Sequence, residues 1–425
     1  MSDITGFSNK ELMVNSKNIP INDSDIYLEG SKVGRTIKSK RYTSSKSIND
    51  INIDISIQLL EESDEIDGHQ TSYSKIKFKG ETINYVIMNT LRRVILTLIP
   101  VYGFNIENIN ITKNTSVFHN DYMRLRLSNF PIYLTKELNE KYKRKKNINR
   151  FNILNDESTL EKMKELEYKA NLGSAEIDTT SDILNKQDIS NNLTITVNVK
   201  NISDTDIMNV MTNTLGVKFY YGKEQISHIY SKPLLIVQLQ PGQEFTCSMI
   251  SNLNIGIYNA TYSPCSICCY EENNENDYDF KIMSRRQISE KDILIRACSI
   301  IQMKLKNSRE IFKTNIMKYN SEEYMNNKMD DENISTEHLR NGIIVIEGEQ
   351  HTLGNLISRY LQDHNEITYA GYKVGHPNVS QVDIKYKCNT NILPVLDDVI
   401  TKLDKIYEKI KMTIEKMPDF GYKYV

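Results

Sequence analysis

No stretch of this 425-residue chain stays apolar long enough to cross a membrane as a helix, and its first residues lack the apolar core of a signal peptide. A surplus of either charge is also missing. Lys and Arg number 53 against 55 Asp and Glu, a formal net of −2, which argues against a chain coated for nucleic acid. Cysteine is sparse: six residues, no regular framework, and none before Cys247. Such usage fits a reducing compartment. The expected setting is cytosol, nucleus or a packaged particle, so the sequon at Asn192 carries little meaning. Constellations for catalysis are absent too. There is no Asp-x-Asp-x-Asp magnesium triad, no phosphate-cradling glycine loop and no nucleophile–histidine arrangement. Asp363 and His364 fall at a helix end and read as a solvated turn.

What is present is an ordinary soluble composition, 39% hydrophobic and 25% charged. A prior of about 150 residues per domain suggests two to four domains. The chain is organised around Glu347–Pro377. An apolar run, Ile343 to Ile346, reads as a buried strand and Gly348 punctuates it. Thr352 is placed to cap a helix, along which Leu353, Leu356, Ile357, Tyr360 and Leu361 lay one apolar stripe. Gly354 sits beside that stripe, where a missing side chain lets another backbone approach. A strand over Ile367–Tyr372, a Gly375-His376-Pro377 turn and an alternating strand through Val382, Ile384 and Tyr386 follow. After Pro394 a second helix carries Leu396, Val399, Ile400, Leu403, Ile406, Tyr407 and Ile410 on one side. Two apolar helix faces and one small sheet leave a face without a partner.

The same plan occurs earlier. Ile51, Ile53, Ile55 and Ile57 alternate as a strand, Glu61–Thr71 is a polar loop, and Ile76 and Phe78 alternate into Gly80. Thr82 can cap a helix whose stripe is Ile83, Ile87, Leu91, Val94, Ile95 and Leu98, with Pro100 ending it. Ile106, Ile109 and Ile111 continue as a strand. Burying each large apolar side chain is worth roughly 1.5–3 kcal/mol, so two such stripes are expected to cover one another.

These motifs carry a resemblance. The residues His351, Thr352, Gly354 and Asn355, then Gly371 and Tyr372, then His376 and Pro377, are similar to the core pattern of the small alpha-like subunit of multi-subunit RNA polymerases, over roughly 339–425. Asn89–Val94, Ile99-Pro100, Asn114–Val117 and Arg126 through Ile132 resemble the large alpha-like subunit. The resemblance implies docking of the second-largest polymerase subunit at Arg92 and Arg93, and dimerisation through the two striped helices. With the family set aside, those arginines are equally a solvated polar face. The family's four-cysteine metal loop has no counterpart here, because no cysteine lies in that region.

Residues 1–46 are a disordered or partner-ordered extension, with a basic arm at Lys38, Lys40 and Arg41 as the alternative. Lys136–Arg150 is an exposed basic loop, with a phosphate-binding patch as the alternative. Leu193 to Val199, Pro233–Leu239 and Gln243–Cys247 are strands resembling the insert domain of the large subunit. Cys265 and Cys268 are two thiols where zinc needs four ligands, so a metal is not expected. Ser289 starts a helix with Ile293, Leu294, Ala297, Ile300, Ile301 and Leu305 on one face, and Lys318–His338 is a flexible linker.

The expected fold is α+β, an intrachain pseudo-heterodimer of two alpha-like dimerisation domains. Its divisions are an extension at 1–46, a large dimerisation domain at 47–132 and 283–317, a β-rich insert at 133–282, a linker at 318–338 and a small dimerisation domain at 339–425. The implied role is a non-catalytic assembly platform without cofactor, magnesium belonging to the largest subunit. Its partners are the two largest polymerase subunits and a small one, with little or no nucleic-acid contact, no membrane and no need of a homodimer. The fusion and the Asn-, Ile- and Lys-rich vocabulary resemble polymerases of large DNA viruses, hence host cytoplasm or virion, or the nucleus for a cellular protein. The rivals are a free-standing nucleic-acid-binding transcription regulator and a metalloprotein built on Cys265 and Cys268.

Overall fold

The computed structural model describes residues 53–63, 72–135, 137–138, 193–326, 341–375 and 381–422, with side chains of the longest helix described as far as Phe312. In chain order, β1 (Ser56–Ser63) and β2 (Ser72–Lys79) form an antiparallel pair, followed by helix α1 (Tyr85–Thr97). Strand β3 (Val101–Asn114) and helix α2 (Asn120–Ser128) lead into β4 (Leu193–Lys200), β5 (Met208–Met211), β6 (Val217–Tyr221), β7 (Glu224–Ile226), β8 (Leu235–Leu239) and β9 (Glu244–Asn254). A hairpin of β10 (Cys265–Asn274) and β11 (Asp277–Ser284) precedes the long helix α3 (Glu290–Asn326). The C-terminal unit comprises β12 (Asn341–Glu347), α4 (His351–Gln362), β13 (Ile367–Val374), β14 (Gln381–Cys388) and α5 (Ile392–Lys416).

Every described strand pair is antiparallel. With the helices segregated on one side of such sheets, the class is α+β, as expected. The sheet orders are β1-β2-β11-β10, β3-β9-β4-β6-β7, β5-β8 and β12-β14-β13. Among the described residues, two hydrophobic cores result. One joins Ile76, Phe78, Phe280 and Ile282 of the first sheet to α1, α3 and the whole C-terminal unit. The other lies between the five-stranded sheet and α2, through Met123, Leu127, Ile195, Val197 and Phe245.

The expected division at 133–282 is corrected at both ends. Strand β3 leaves the first unit and pairs with β9, while the β10–β11 hairpin leaves the insert and completes the first sheet through β11 against β2. Alternation decides both. Tyr278, Phe280 and Ile282 face the helices of the first core, whereas Ile109 and Ile111 face Cys247 and Met249 in the second. The chain crosses back at Gly256, where any Cβ would sit 2.1 Å from the Leu96 carbonyl oxygen.

Local expectations shift as well. Thr82 does not cap α1: its hydroxyl donates to the Asp54 carbonyl (3.4 Å), and Asn84 Oδ1 accepts the Ile87 N–H at 3.0 Å instead. The isoleucine alternation becomes strand only from Ser56, and Glu61–Ser63 extend that strand where a loop was expected; 64–71 lie outside the described residues. Ile106 is 42% exposed because the β3–β9 register slips between Phe104 and Ile109. Helix α5 starts at Ile392, before Pro394, which the first turn tolerates because N–H groups there lack helical partners. Helix α3 runs to Asn326 and takes the first part of the expected linker; residues 327–338, the extension 1–46 and the basic segment 139–150 lie outside the described residues.

One buried charge lies where these parts meet. Glu290, fully buried at the start of α3, accepts the Tyr422 N–H at 2.7 Å and the Ser284 N–H at 3.4 Å. Burial pushes its carboxyl above the ordinary value of 4.5, against the pull of those N–H groups. Ionising it costs more in the folded than in the unfolded state, so its contribution is intact below about pH 4.5 and is lost as pH rises through the raised value. In thermal melts between about pH 4 and about pH 7, Glu290→Gln should flatten that fall. Parallel wild-type and variant curves would contradict it.

Candidate helix interface and docking surface

Both sequence-read stripes are buried. Ile83, Ile87, Leu91, Val94, Ile95 and Leu98 share one core with Leu353, Leu356, Ile357, Tyr360 and Leu361, none more than 6% exposed. Each stripe follows from apolar residues at i, i+3, i+4 and i+7, which fall on one side of a 3.6-residue helix. Two polar contacts orient the seam. Asn84, at the start of α1, donates through Nδ2 to Tyr360 Oη near the end of α4 at 3.3 Å. Arg93, towards the end of α1, donates through Nε to Thr352 Oγ1 at the start of α4 at 2.7 Å. The two helices therefore cross antiparallel.

A second pair repeats the pattern. Gln302 of α3 donates to Asp404 (2.9 Å) and Glu408 (3.0 Å) of α5, and Arg309, one to two turns further on, forms a two-pronged pair with Asp397. Between the pairs, Lys304 meets Glu349 at 2.6 Å, both largely buried. The apolar part is continuous, from Ile293, Leu294, Ala297, Ile300, Ile301 and Leu305 to Leu396, Val399, Ile400, Leu403, Ile406, Tyr407 and Ile410. Cys298 lies wholly inside it, and burial pushes its thiol up to about 12.

The motif residues of the C-terminal unit serve this packing. Thr352 does not cap α4: Gln350 holds the cap position without a side-chain bond, and the Thr352 hydroxyl faces Arg93. A Cβ on Gly354 would lie 2.5 Å from Val382 and 2.9 Å from Tyr372, so glycine admits side chains of β14 and β13 where a neighbouring backbone was expected. Tyr372 packs edge-on to His351, its hydroxyl 3.5 Å from Nδ1. Gly371 makes room for the Tyr369 ring. Asn355 is half-buried beside the stripe, and His376 and Pro377 lie outside the described residues.

The paired arginines separate. Arg93 is turned into the seam, contrary to the expectation of a surface residue. Arg92 is half-buried on the other side, its guanidinium bonded to Asn89 Oδ1 at 3.0 and 3.2 Å. Its charge is felt by Cys268 and Tyr270 on β10. That strand is the outer edge of its sheet, with Ile267 and Tyr85 of α1 exposed nearby in the fold. An edge strand presents unpaired backbone groups. This edge is not legible in the sequence, where the residues of β10 read as part of the insert.

Cys265 and Cys268 are buried and adjacent. A hydrogen bond from Cys268 holds the Cys265 thiol below its ordinary range, and burial pushes Cys268 up. Among the described residues no group of three or more His, Cys, Asp or Glu could hold a metal ion.

Against this geometry, residues 341–413 match the RNA polymerase Rpb3/Rpb11 dimerisation domain. The chain is 26% identical over 397 residues to a DNA-directed RNA polymerase subunit of Acanthamoeba polyphaga mimivirus, an alignment covering 88% of this chain and 98% of that protein. The chain is thus similar over most of its length to a viral RNA polymerase subunit, and its C-terminal unit to the alpha-like dimerisation domain. It is also 28% identical over 71 residues to the DNA-directed RNA polymerase subunit Rpo11 of Thermococcus onnurineus, covering 16% of this chain and 75% of that one. The family resemblance drawn from His351, Thr352, Gly354 and their neighbours is thus borne out, and so is the viral character.

The Arg93–Thr352 bond gives the helix seam a measurable signature. A double-mutant cycle of Arg93→Met and Thr352→Val should return a coupling of about 1 kcal/mol in denaturant unfolding, while Arg92→Met should leave stability within about 0.5 kcal/mol. Zero coupling would remove the bond from the account. Leu356→Asp, which places a charge at a fully buried seam position, should cost at least about 4 kcal/mol.

Proposed function

We propose that this chain is a non-catalytic assembly platform of a multi-subunit DNA-directed RNA polymerase, in which both alpha-like subunits are fused and pair within one polypeptide. One observation carries the reading. Asn84 at the start of α1 meets Tyr360 near the end of α4, and Arg93 near the end of α1 meets Thr352 at the start of α4. In a two-fold dimer, residue i contacts j of the partner while j contacts i. The reciprocal seam fits that rule with two related units on one chain. The second pair, α3 against α5, obeys the same antiparallel order.

On this reading the divisions are a large dimerisation domain at about 53–101 and 255–326, a β-rich insert between them, and a small dimerisation domain over 341–422. The partners are the two largest polymerase subunits and a small one. The second-largest docks beside Arg92 and the β10 edge, while Arg93 serves the seam. Neither catalysis nor a cofactor belongs to this chain, and Cys265 and Cys268 are packed thiols. The mimivirus counterpart supports work in the cytoplasm of an infected cell, with the virion as a second place.

Tagged full-length protein purified from the infected host should bring down both largest subunits. Arg92→Glu should lower recovery of the second-largest several-fold without changing the melting temperature, since its guanidinium bonds Asn89 of the same helix and no residue of the seam. Recovery of neither large subunit with wild-type protein would overturn the platform reading.

A further inference from the structure

Beyond the helix seam, the segment after α5 leaves its own unit and lies across the first one. Phe420 and Tyr422 are 3% and 5% exposed, although Pro418 and Asp419 between α5 and Phe420 stay at the surface. The cleft that receives them reads the backbone. Glu290 accepts the Tyr422 N–H at 2.7 Å, and Glu62 of β1 accepts the Gly421 N–H at 3.0 Å. Lys291 donates to the Met417 carbonyl at 2.6 Å and meets Asp419 at 3.1 Å. Further side-chain recognition comes at the end. The Tyr422 ring lies against the Arg286 guanidinium, 5.4 Å from its centroid, and the Tyr422 hydroxyl donates to the Leu134 carbonyl at 3.1 Å. Leu134 in turn packs on the insert core and donates its N–H to the Arg286 carbonyl.

Gly421 is required by this seat on two counts. Its φ of +83° is left-handed, and a Cβ there would lie 2.0 Å from Glu290 Oε2. Two carboxylates, an ammonium and a guanidinium facing successive groups of one short segment make a peptide site, since main-chain bonds supply affinity and the terminal pocket supplies specificity.

We propose that the cleft bounded by Glu62, Glu290, Lys291 and Arg286 is a peptide-binding site that the chain fills in cis with Met417–Tyr422. Occupancy fastens the C-terminal unit to the first sheet and, through Leu134, to the insert. The ligand is a short segment with glycine followed by an aromatic hydroxyl, and the tether makes its local concentration on the order of millimolar.

Hydrogen–deuterium exchange of the full-length chain, read by mass spectrometry, tests this. In wild type, the peptide spanning 417–425 should exchange more slowly than coil. Gly421→Ala should speed its exchange about tenfold, together with the cleft segment 284–292, while the seam peptides 85–97 and 351–362 stay unchanged. Tyr422→Ala should act in the same direction. Adding a synthetic peptide with the wild-type sequence of 415–425 to the Gly421→Ala chain should restore protection at 284–292, and the Gly421→Ala peptide should not. Coil-rate exchange of the wild-type tail, an unaltered Gly421→Ala profile, or failure of the wild-type peptide to restore the cleft would each overturn the proposal.

Discussion

The covering of one apolar helix face by another, α1 by α4 and α3 by α5, is the constraint on which the rest of this molecule depends. Each unit is a helix pair on one side of an antiparallel sheet, and each sheet already covers one face of its helices. The opposite faces, lined by residues such as Leu91, Ile95, Leu356 and Ile357, meet in one shared apolar core. Burial of each such side chain contributes roughly 1.5–3 kcal/mol, so the exposed alternative is heavily disfavoured. Polar contacts add direction to that drive. Asn84–Tyr360 and Arg93–Thr352 fix which end of one helix meets which end of the other, something that apolar contact alone specifies weakly.

Joining the two units in one chain changes the character of this association. A dimer of separate subunits loses translational freedom when it forms, whereas tethered halves meet at an effective concentration of roughly millimolar. The seam therefore needs less surplus affinity to stay closed, and it can carry polar groups at its core. Lys304 against Glu349 and Gln302 against Asp404 and Glu408 are such groups, held in pairs because an unpartnered charge there would be costly. The tail seat at Glu290 belongs to the same logic, with a buried carboxylate satisfied by backbone donors from a distant part of the chain.

The five-stranded sheet is attached to the first unit by exchange of strands. One long strand, β3, crosses from the first unit into the five-stranded sheet, and β9 returns beside it with Tyr102 facing Leu253. This leaves β10 as the outer edge of the first sheet, next to α1 and Arg92. The second core lies along the far part of β3, from Phe104 to Ile111, apart from the helix seam.

Helical stripes, alternating strands and the family motif were legible in the residues, because each is a periodic property of a few consecutive turns or pleats. The spacing of Leu353, Leu356, Ile357, Tyr360 and Leu361 needs no knowledge of the partner to define a face, and Val382, Ile384 and Tyr386 announce their inner side in the same way. Hydrogen-bond partners and strand neighbours were not legible. Thr82 and Thr352 carry the right side chain to cap a helix, yet each spends its hydroxyl on a residue distant in sequence, Asp54 and Arg93. The β10–β11 hairpin has an apolar face that suits either sheet, and only the packing of Phe280 and Ile282 under α1 and α3 assigns it. Sequence by itself determined which surfaces must be buried. Which surface buries which, and where Arg93, Glu290 and Tyr422 find their partners, is decided by tertiary structure, because those choices depend on residues that are neighbours only after the chain has folded.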